Sequence, residues 1–128
     1  MADGIIEASK AARKYGVTVG LGTDGACPFA AQSGMWREVC YFAKLTGASN
    51  EEALYRATLG NASIVHLEEE TGSVSVGKSA DLIVLTKNPY EDLKVLRQPE
   101  MVIIKGHLIA HPNPKKNERM EKELDALI

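Results

Sequence analysis

At 128 residues, with 45% hydrophobic and 25% charged side chains, the chain has the length of one ordinary domain and the composition of a folded polymer. A formal net charge of -2, with no Lys/Arg-rich run, gives no electrostatic footprint for a nucleic-acid partner. No apolar run reaches the roughly 18 residues of a membrane span, and the start lacks the basic and apolar regions of a secretion signal, so a cytoplasmic chain with no membrane partner is expected.

Residues 2–15 read as a helix. Asp3 can cap its start, Ile5, Ala8, Ala12 and Tyr15 recur at helical spacing, and Gly16 can end it. Residues 17–24 form a β-branched run punctuated by glycines and read as a strand. Side chains alternate along a strand, so Val17, Val19 and Leu21 share one face, and Thr18, Gly20, Gly22 and Asp24 share the other. The first face is apolar enough to pack on helices; the second is small and ends in a carboxylate.

Ser33 is the expected cap of a second helix of about three turns, a usual length, with Trp36, Val39, Cys40 and Ala43 inward and Gly47 as its stop. Ser49 and Glu52 have the spacing of a capping box for a third helix over 50–59, broken at Gly60-Asn61 and resumed as a short turn over 62–65. Beyond Thr71-Gly72 the pattern becomes extended. Residues 72–77 alternate; 81–85 lack a polar face and are expected to be buried on both sides; 101–104 and 108–110 flank a turn at Lys105-Gly106 as a hairpin. Asn113 and Pro114 begin a closing helix with Met120, Leu124, Leu127 and Ile128 on one face and Glu118 and Lys122 paired on another. Cys27 and Cys40 match no zinc spacing and read as reduced thiols, with Cys27 a small apolar filler.

The first half poses a physical problem. A strand flanked by helices on both sides normally lies in a parallel sheet, yet residues 1–70 offer no second strand for it. Its backbone donors and acceptors need partners, either from the β half or from chain that lies elsewhere. A parallel eight-stranded barrel takes roughly 250 residues, about twice the present length.

The run Gly16-Val17-Thr18-Val19-Gly20-Leu21-Gly22-Thr23-Asp24 resembles the eighth barrel strand of the amidohydrolase superfamily. Residues 52–62, with Glu52, Ala53, Leu54, Ala57, Thr58, Asn61 and Ala62, resemble the helix after that strand; residues 72–85, then Asn88-Pro89, Asp92-Leu93 and 102–106, resemble the family's C-terminal β-sandwich. Asp24-Gly25-Ala26-Cys27-Pro28 followed by Trp36-Arg37-Glu38 is most similar to the imidazolonepropionase and prolidase-like branch, with Ser33-Gly34 standing where many members carry His-Gly.

The resemblance implies an α/β fold: the last strand–helix unit of a TIM-barrel hydrolase over 1–70 with its eighth strand at 17–24, part of a composite β-sandwich over 71–111, and a C-terminal helix over 112–128. It implies cleavage of amide or cyclic amide bonds, or deamination, by water that zinc or another divalent metal activates, with a small amide, cyclic amide or dipeptide as substrate. Asp24 matches the residue that binds the metal or its water and takes the proton. A catalytic zinc needs about three protein ligands, and the family's other ligands come from earlier barrel strands. The chain alone is therefore expected to be silent and to hold no metal. His66, His107 and His111 do not share a helical face and make poor substitutes.

Plainer readings stand beside these. Asp24 before Gly25 can simply shape a turn. Asn61 reads as a cap of the short helix, Trp36 as core, Thr23 as structural, Lys78 and Asp81 as turn-shaping, and the last helix as a packed or solvated element. A non-enzymatic scaffold derived from a hydrolase tail is the alternative function, and exposed strand edges in either case predict a homo-oligomer.

Overall fold

The computed structural model describes residues 2–25, 30 and 32–126. Cys27, Leu127 and Ile128, for which roles were expected, lie outside the described residues.

Helix α1 (Ala2–Lys14) ends where the sequence indicates. Gly16 adopts φ 71, its N–H donates to Arg13 O at 3.2 Å, and the Val17 N–H donates to Ala12 O at 2.9 Å, so two terminal carbonyls are satisfied by one left-handed residue. Residues 17–25 then run without strand pairing. The strand expected there has no ladder among the described residues, and the backbones of Thr18, Val19 and Gly20 make no hydrogen bond to them. The face assignment holds in part: Val19 and Leu21 pack against the core and Thr18, Gly20, Gly22 and Asp24 are exposed, but Val17, expected on the packed face, is 55% exposed.

Helix α2 (Met35–Thr46) follows a 3-10 turn at Gln32–Gly34. Its N-cap is Gly34, at φ -84 and ψ -1 with no side-chain cap bond, rather than Ser33. The chain is already coiled before Met35, which denies Ser33 the extended geometry of a capping residue. Gly47, at φ 71, closes the helix as expected.

Helix α3 (Asn50–Tyr55) forms half of the expected capping box. Ser49 Oγ accepts from the Glu52 N–H at 3.1 Å, but the Glu52 carboxylate turns instead to Arg13, accepting from Nε at 3.0 Å and Nη2 at 2.6 Å. The break expected at Gly60-Asn61 does not occur. Both residues are helical, at φ/ψ -61/-45 and -63/-44, and a π-turn at Arg56–Gly60 joins α3 to α4 (Asn61–Ile64) as one rod. Gly60 serves close packing, since a Cβ there would meet Tyr55 O at 3.0 Å. The rod ends at exposed His66, at φ 58, with Leu67 N–H donating to Ala62 O at 2.9 Å.

Residues 72–77 form bends and a turn that pair with no described strand, and Val74 and Val76 stand in solvent. Lys78 Nζ ties this loop by donating to Glu68 O and to Ser73 Oγ. Gly72 is wedged under the rod at φ 88, where a Cβ would lie 2.8 Å from Ala62 Cβ and 3.0 Å from Leu59 Cα. Gly72→Ala combines a left-handed strain with a clash against backbone and should cost roughly 2–5 kcal/mol, read from the urea midpoint. A loss within about 0.5 kcal/mol, the scatter of neutral surface changes, would show that the loop moves aside freely.

The sheet is an antiparallel meander of β1 (Leu82–Val84), β2 (Met101–Ile104) and β3 (His107–Ala110), registered by Ile83↔Val102 and Val102↔Ile109. The Lys105-Gly106 hairpin forms as expected, both residues having positive φ, 48 and 81, the pattern that matches strand twist. β1 is not buried on both sides: Ile83 and Val84, which point to opposite faces, are 50% and 38% exposed. Between β1 and β2 a 3-10 turn (Leu93–Arg97) drops Leu93 into a core of Trp36, Val39, Cys40, Phe42 and Ala53.

Helix α5 (Glu118–Asp125) starts later than the Asn113-Pro114 signal suggests. Asn117 is its cap, accepting from the Met120 N–H at 3.2 Å, and Arg119 pairs with Glu123 at 3.1 Å. Among the described residues no helix is long and apolar enough to cross a membrane.

Candidate functional site

Asp24 stands exposed near the end of the 17–25 segment, at φ 46. Asp is among the few residues that tolerate this left-handed conformation, so the position suits a turn as well as a reactive carboxylate. Three residues earlier the backbone is gripped from the side. The Leu21 N–H donates to Asn61 Oδ1 at 2.9 Å, and Asn61 Nδ2 donates to Leu21 O at 2.8 Å. Asn61 thus holds the segment instead of capping the short helix.

On the other side, Thr23 lines a small cavity of about 60 Å³ with Ala30, Gly34, Glu38, Tyr41 and Leu124. Burial pushes the half-buried Glu38 carboxyl above its ordinary value. The Tyr41 hydroxyl donates to Leu124 O at 3.0 Å, which fixes α5 against α2 beside the Asp24 segment.

That contact is one edge of a charged cluster. Arg37, only 2% exposed, donates to Glu121 at 2.8 and 3.2 Å and to Asp125 at 2.7 and 3.1 Å, and its guanidinium lies 4.5 Å from the Trp36 ring. Arg97 completes the group, 2.8 Å from Asp125 and 5.2 Å from the same ring. The Arg37 hydrogen bond holds the Glu121 carboxyl below its ordinary range. Burial pushes Asp125 up, but the hydrogen bond from Arg37 and the charges of Arg37 and Arg97 bring it below its usual value. Trp36 is core, as expected, and the last helix is packed rather than solvated.

A wide groove of about 1070 Å³ runs along the small face of residues 17–24, between Thr18, Gly20 and Asn61 on one side and Leu82, Ile83 and Tyr90 on the other. Asp24 is not among its lining residues.

No group of three or more His, Cys, Asp or Glu side chains among the described residues is placed to hold a metal. His66 closes the rod, His107 lies on the edge strand β3 and His111 follows it, all exposed and none near Asp24 in a shared cluster. A catalytic zinc takes about three protein ligands, and among the described residues no such set lies together.

Asn61, Arg37, Glu121 and Asp125 were not singled out from sequence as parts of this region. The signals available were the acidic residues of the last helix and an arginine on the apolar face of α2, but their partners lie 84 and 88 residues apart.

Comparison with known proteins places this geometry. A profile of the amidohydrolase family matches residues 1–109. Ochratoxinase of Aspergillus niger is 35% identical over 104 residues, covering 80% of this chain and 21% of that protein. Imidazolonepropionase of Symbiobacterium thermophilum is 38% identical over 76 residues, 57% of this chain and 17% of that protein. The crystal structure of a candidate prolidase from Bifidobacterium longum superposes with a TM-score of 0.91 at 41% identity, covering 94% of this chain and 30% of that one. The chain thus spans about a fifth of the first curated relative and under a third of the solved one. It belongs to the amidohydrolase family.

Proposed function

We propose that this chain is the C-terminal part of a metal-dependent hydrolase that cleaves C–N bonds in small amides, cyclic amides or dipeptides. Residues 17–24 are its eighth barrel strand, and Asp24 is a ligand of the metal or its water and the acceptor of the water's proton. The observation that carries this reading is the placement of Asp24: an exposed carboxylate that ends a segment whose apolar face, Val19 and Leu21, is packed on the helices. In a barrel that arrangement points the carboxylate into the C-terminal mouth, where such enzymes react.

The unpaired backbone of Thr18, Val19 and Gly20 supports the same conclusion, because a barrel strand has neighbours on both edges. So do Ile83, Ile104 and Ile109 on one face of the sheet, each about half exposed, which a second sheet of a sandwich would cover. On this reading 1–70 ends the barrel, 71–111 is part of a composite sandwich and 112–128 a closing helix. Zinc or another divalent ion is held mainly by residues outside this chain, so the 128-residue piece by itself is inactive.

The test is metal dependence in the enzyme that contains this chain. Chelation should abolish hydrolysis of N-acyl amino acids and dipeptides, and added zinc, cobalt or manganese should restore it. Hydrolysis indifferent to chelators and to added metal would remove the reading.

A second reading is favoured by the same apolar sheet face: a non-enzymatic scaffold that covers Ile83, Ile104 and Ile109 by pairing with a second copy of itself. A homo-oligomer is compatible with both readings, but only the scaffold predicts a stable assembly without hydrolysis.

A further inference from the structure

Three unusual features of the chain converge on one contact. The first is the π-turn at Arg56–Gly60. Such a turn adds one residue to the helical repeat and rotates everything after it by about 100°, so it decides which side chain of α4 faces the 17–24 segment. The second is Gly20. A Cβ at this position would lie 2.5 Å from Asn61 Oδ1 and 2.8 Å from Ile64 Cδ1, so only glycine lets the segment come this close to the rod. The third is the paired bond itself, with Asn61 accepting from Leu21 N–H and donating to Leu21 O. Giving and receiving at one residue is what a neighbouring strand does in an antiparallel ladder. Asn61 is itself helical, so its amide is not spent on ending a helix.

We propose that Asn61 is a positioning residue for Asp24: its side-chain amide replaces a strand neighbour at Leu21 and fixes the direction in which the chain leaves toward Asp24. The catalytic half of this statement rests on the role given to Asp24 above; the clamp on Leu21 does not. The amide is the group this job requires. Asp at position 61 could accept from the Leu21 N–H but would set a carboxylate against the Leu21 carbonyl, and Leu would offer neither bond. With the clamp gone, Leu21 would lose both of these backbone bonds, and the segment leading to Asp24 would lose the contact that sets its direction.

The experiment has two arms, both using Asn61→Asp and Asn61→Leu. In the 128-residue chain, amide exchange is followed by NMR at Leu21, with Ala53, fully buried in the core, as the reference for global stability. Leu21 should exchange about 10-fold faster in Asn61→Leu, the effect of one ordinary hydrogen bond, with Ala53 unchanged, and less fast in Asn61→Asp, which keeps an acceptor for that N–H. In the enzyme containing the chain, kcat should fall roughly 100-fold, the usual cost of misplacing a reacting group by an ångström, with KM changed less than about 3-fold. Unaltered Leu21 exchange would overturn the clamp. Equal loss of protection at Leu21 and Ala53 would overturn a local role. Faster Leu21 exchange with kcat intact would overturn positioning. If Asp24→Asn also left kcat intact, the proposed catalytic reading would fall, with the exchange result standing on its own.

Discussion

Asp24→Asn is expected to lower kcat/KM of the enzyme that carries this chain by about 10²–10⁴-fold, the range supplied by a positioned proton acceptor. The substitution isolates chemistry from structure. Asp24 has φ 46, and Asn is one of the few side chains that accept a left-handed backbone, so the turn should survive. The amide keeps the shape of the carboxylate but cannot take a proton and is a weak ligand for a divalent ion. Asp24→Ala would be a poorer probe, since it adds about 1–2 kcal/mol of backbone strain to any catalytic loss. A kcat/KM within a few-fold of the parent, with thermal midpoint unchanged, would leave Asp24 as nothing more than a turn residue.

Arg37→Met should release α5. Arg37 is 2% exposed and is the shared donor to Glu121, itself 7% exposed, and to Asp125. Removing one partner of a buried pair leaves charge without compensation and costs about 3–5 kcal/mol. Arg97 keeps its 2.8 Å pair with Asp125, but at 3.6 Å from Glu121 and 42% exposed it does not replace the two bonds that Arg37 makes to the buried Glu121. An eight-residue helix has little stability of its own, so α5 should melt once undocked. Amide exchange would show it as lost protection over 118–125, with Ala53 in the α2–α3 core still protected. If protection over α5 persisted, the ion cluster would not be what holds it.

The same cluster sets a pH dependence. Both carboxyls have lowered values in the folded chain, Glu121 through the Arg37 hydrogen bond and Asp125 through Arg37 and Arg97 against the opposing pull of burial. A depressed carboxylate contributes stability that is complete above its unfolded value, about pH 4–4.5, and is lost as pH falls through the lower folded value. Helix α5 should therefore stay docked at neutral pH and detach in acid.

Local chemistry made much of the chain legible. Gly16 and Gly47 end helices because each takes a left-handed φ, and Lys105-Gly106 makes the hairpin for the same reason. The apolar stripe of α2 is buried because its spacing leaves no other choice. What could not be read depends on surfaces far away in the chain or outside it. The 17–24 segment has strand composition but no partner strand among the described residues, so its pairing was not legible from composition. Val74 and Val76 alternate like a strand and yet lie in solvent, paired with no described strand. Asp24 was found through resemblance, not through its surroundings. Asn61 was assigned a cap because Gly60 suggested a helix end; the π-turn that carries the helix through has no sequence signature comparable to a cap or a turn.

Helix α1 is attached in a different manner from the rest. Its Ile5 and Tyr15 are 66% and 76% exposed, and its main tie is the Arg13 fork, which grips both Glu52 oxygens and donates to Thr46 O at 2.7 Å. Such a tie fixes direction but excludes little water, and it weakens as ionic strength rises. The core between α2 and α3 responds in the opposite sense, since salts such as sulfate strengthen apolar burial. Dissolved salt thus acts on two parts of one small molecule with contrary signs, loosening the first helix while tightening the body from which it hangs.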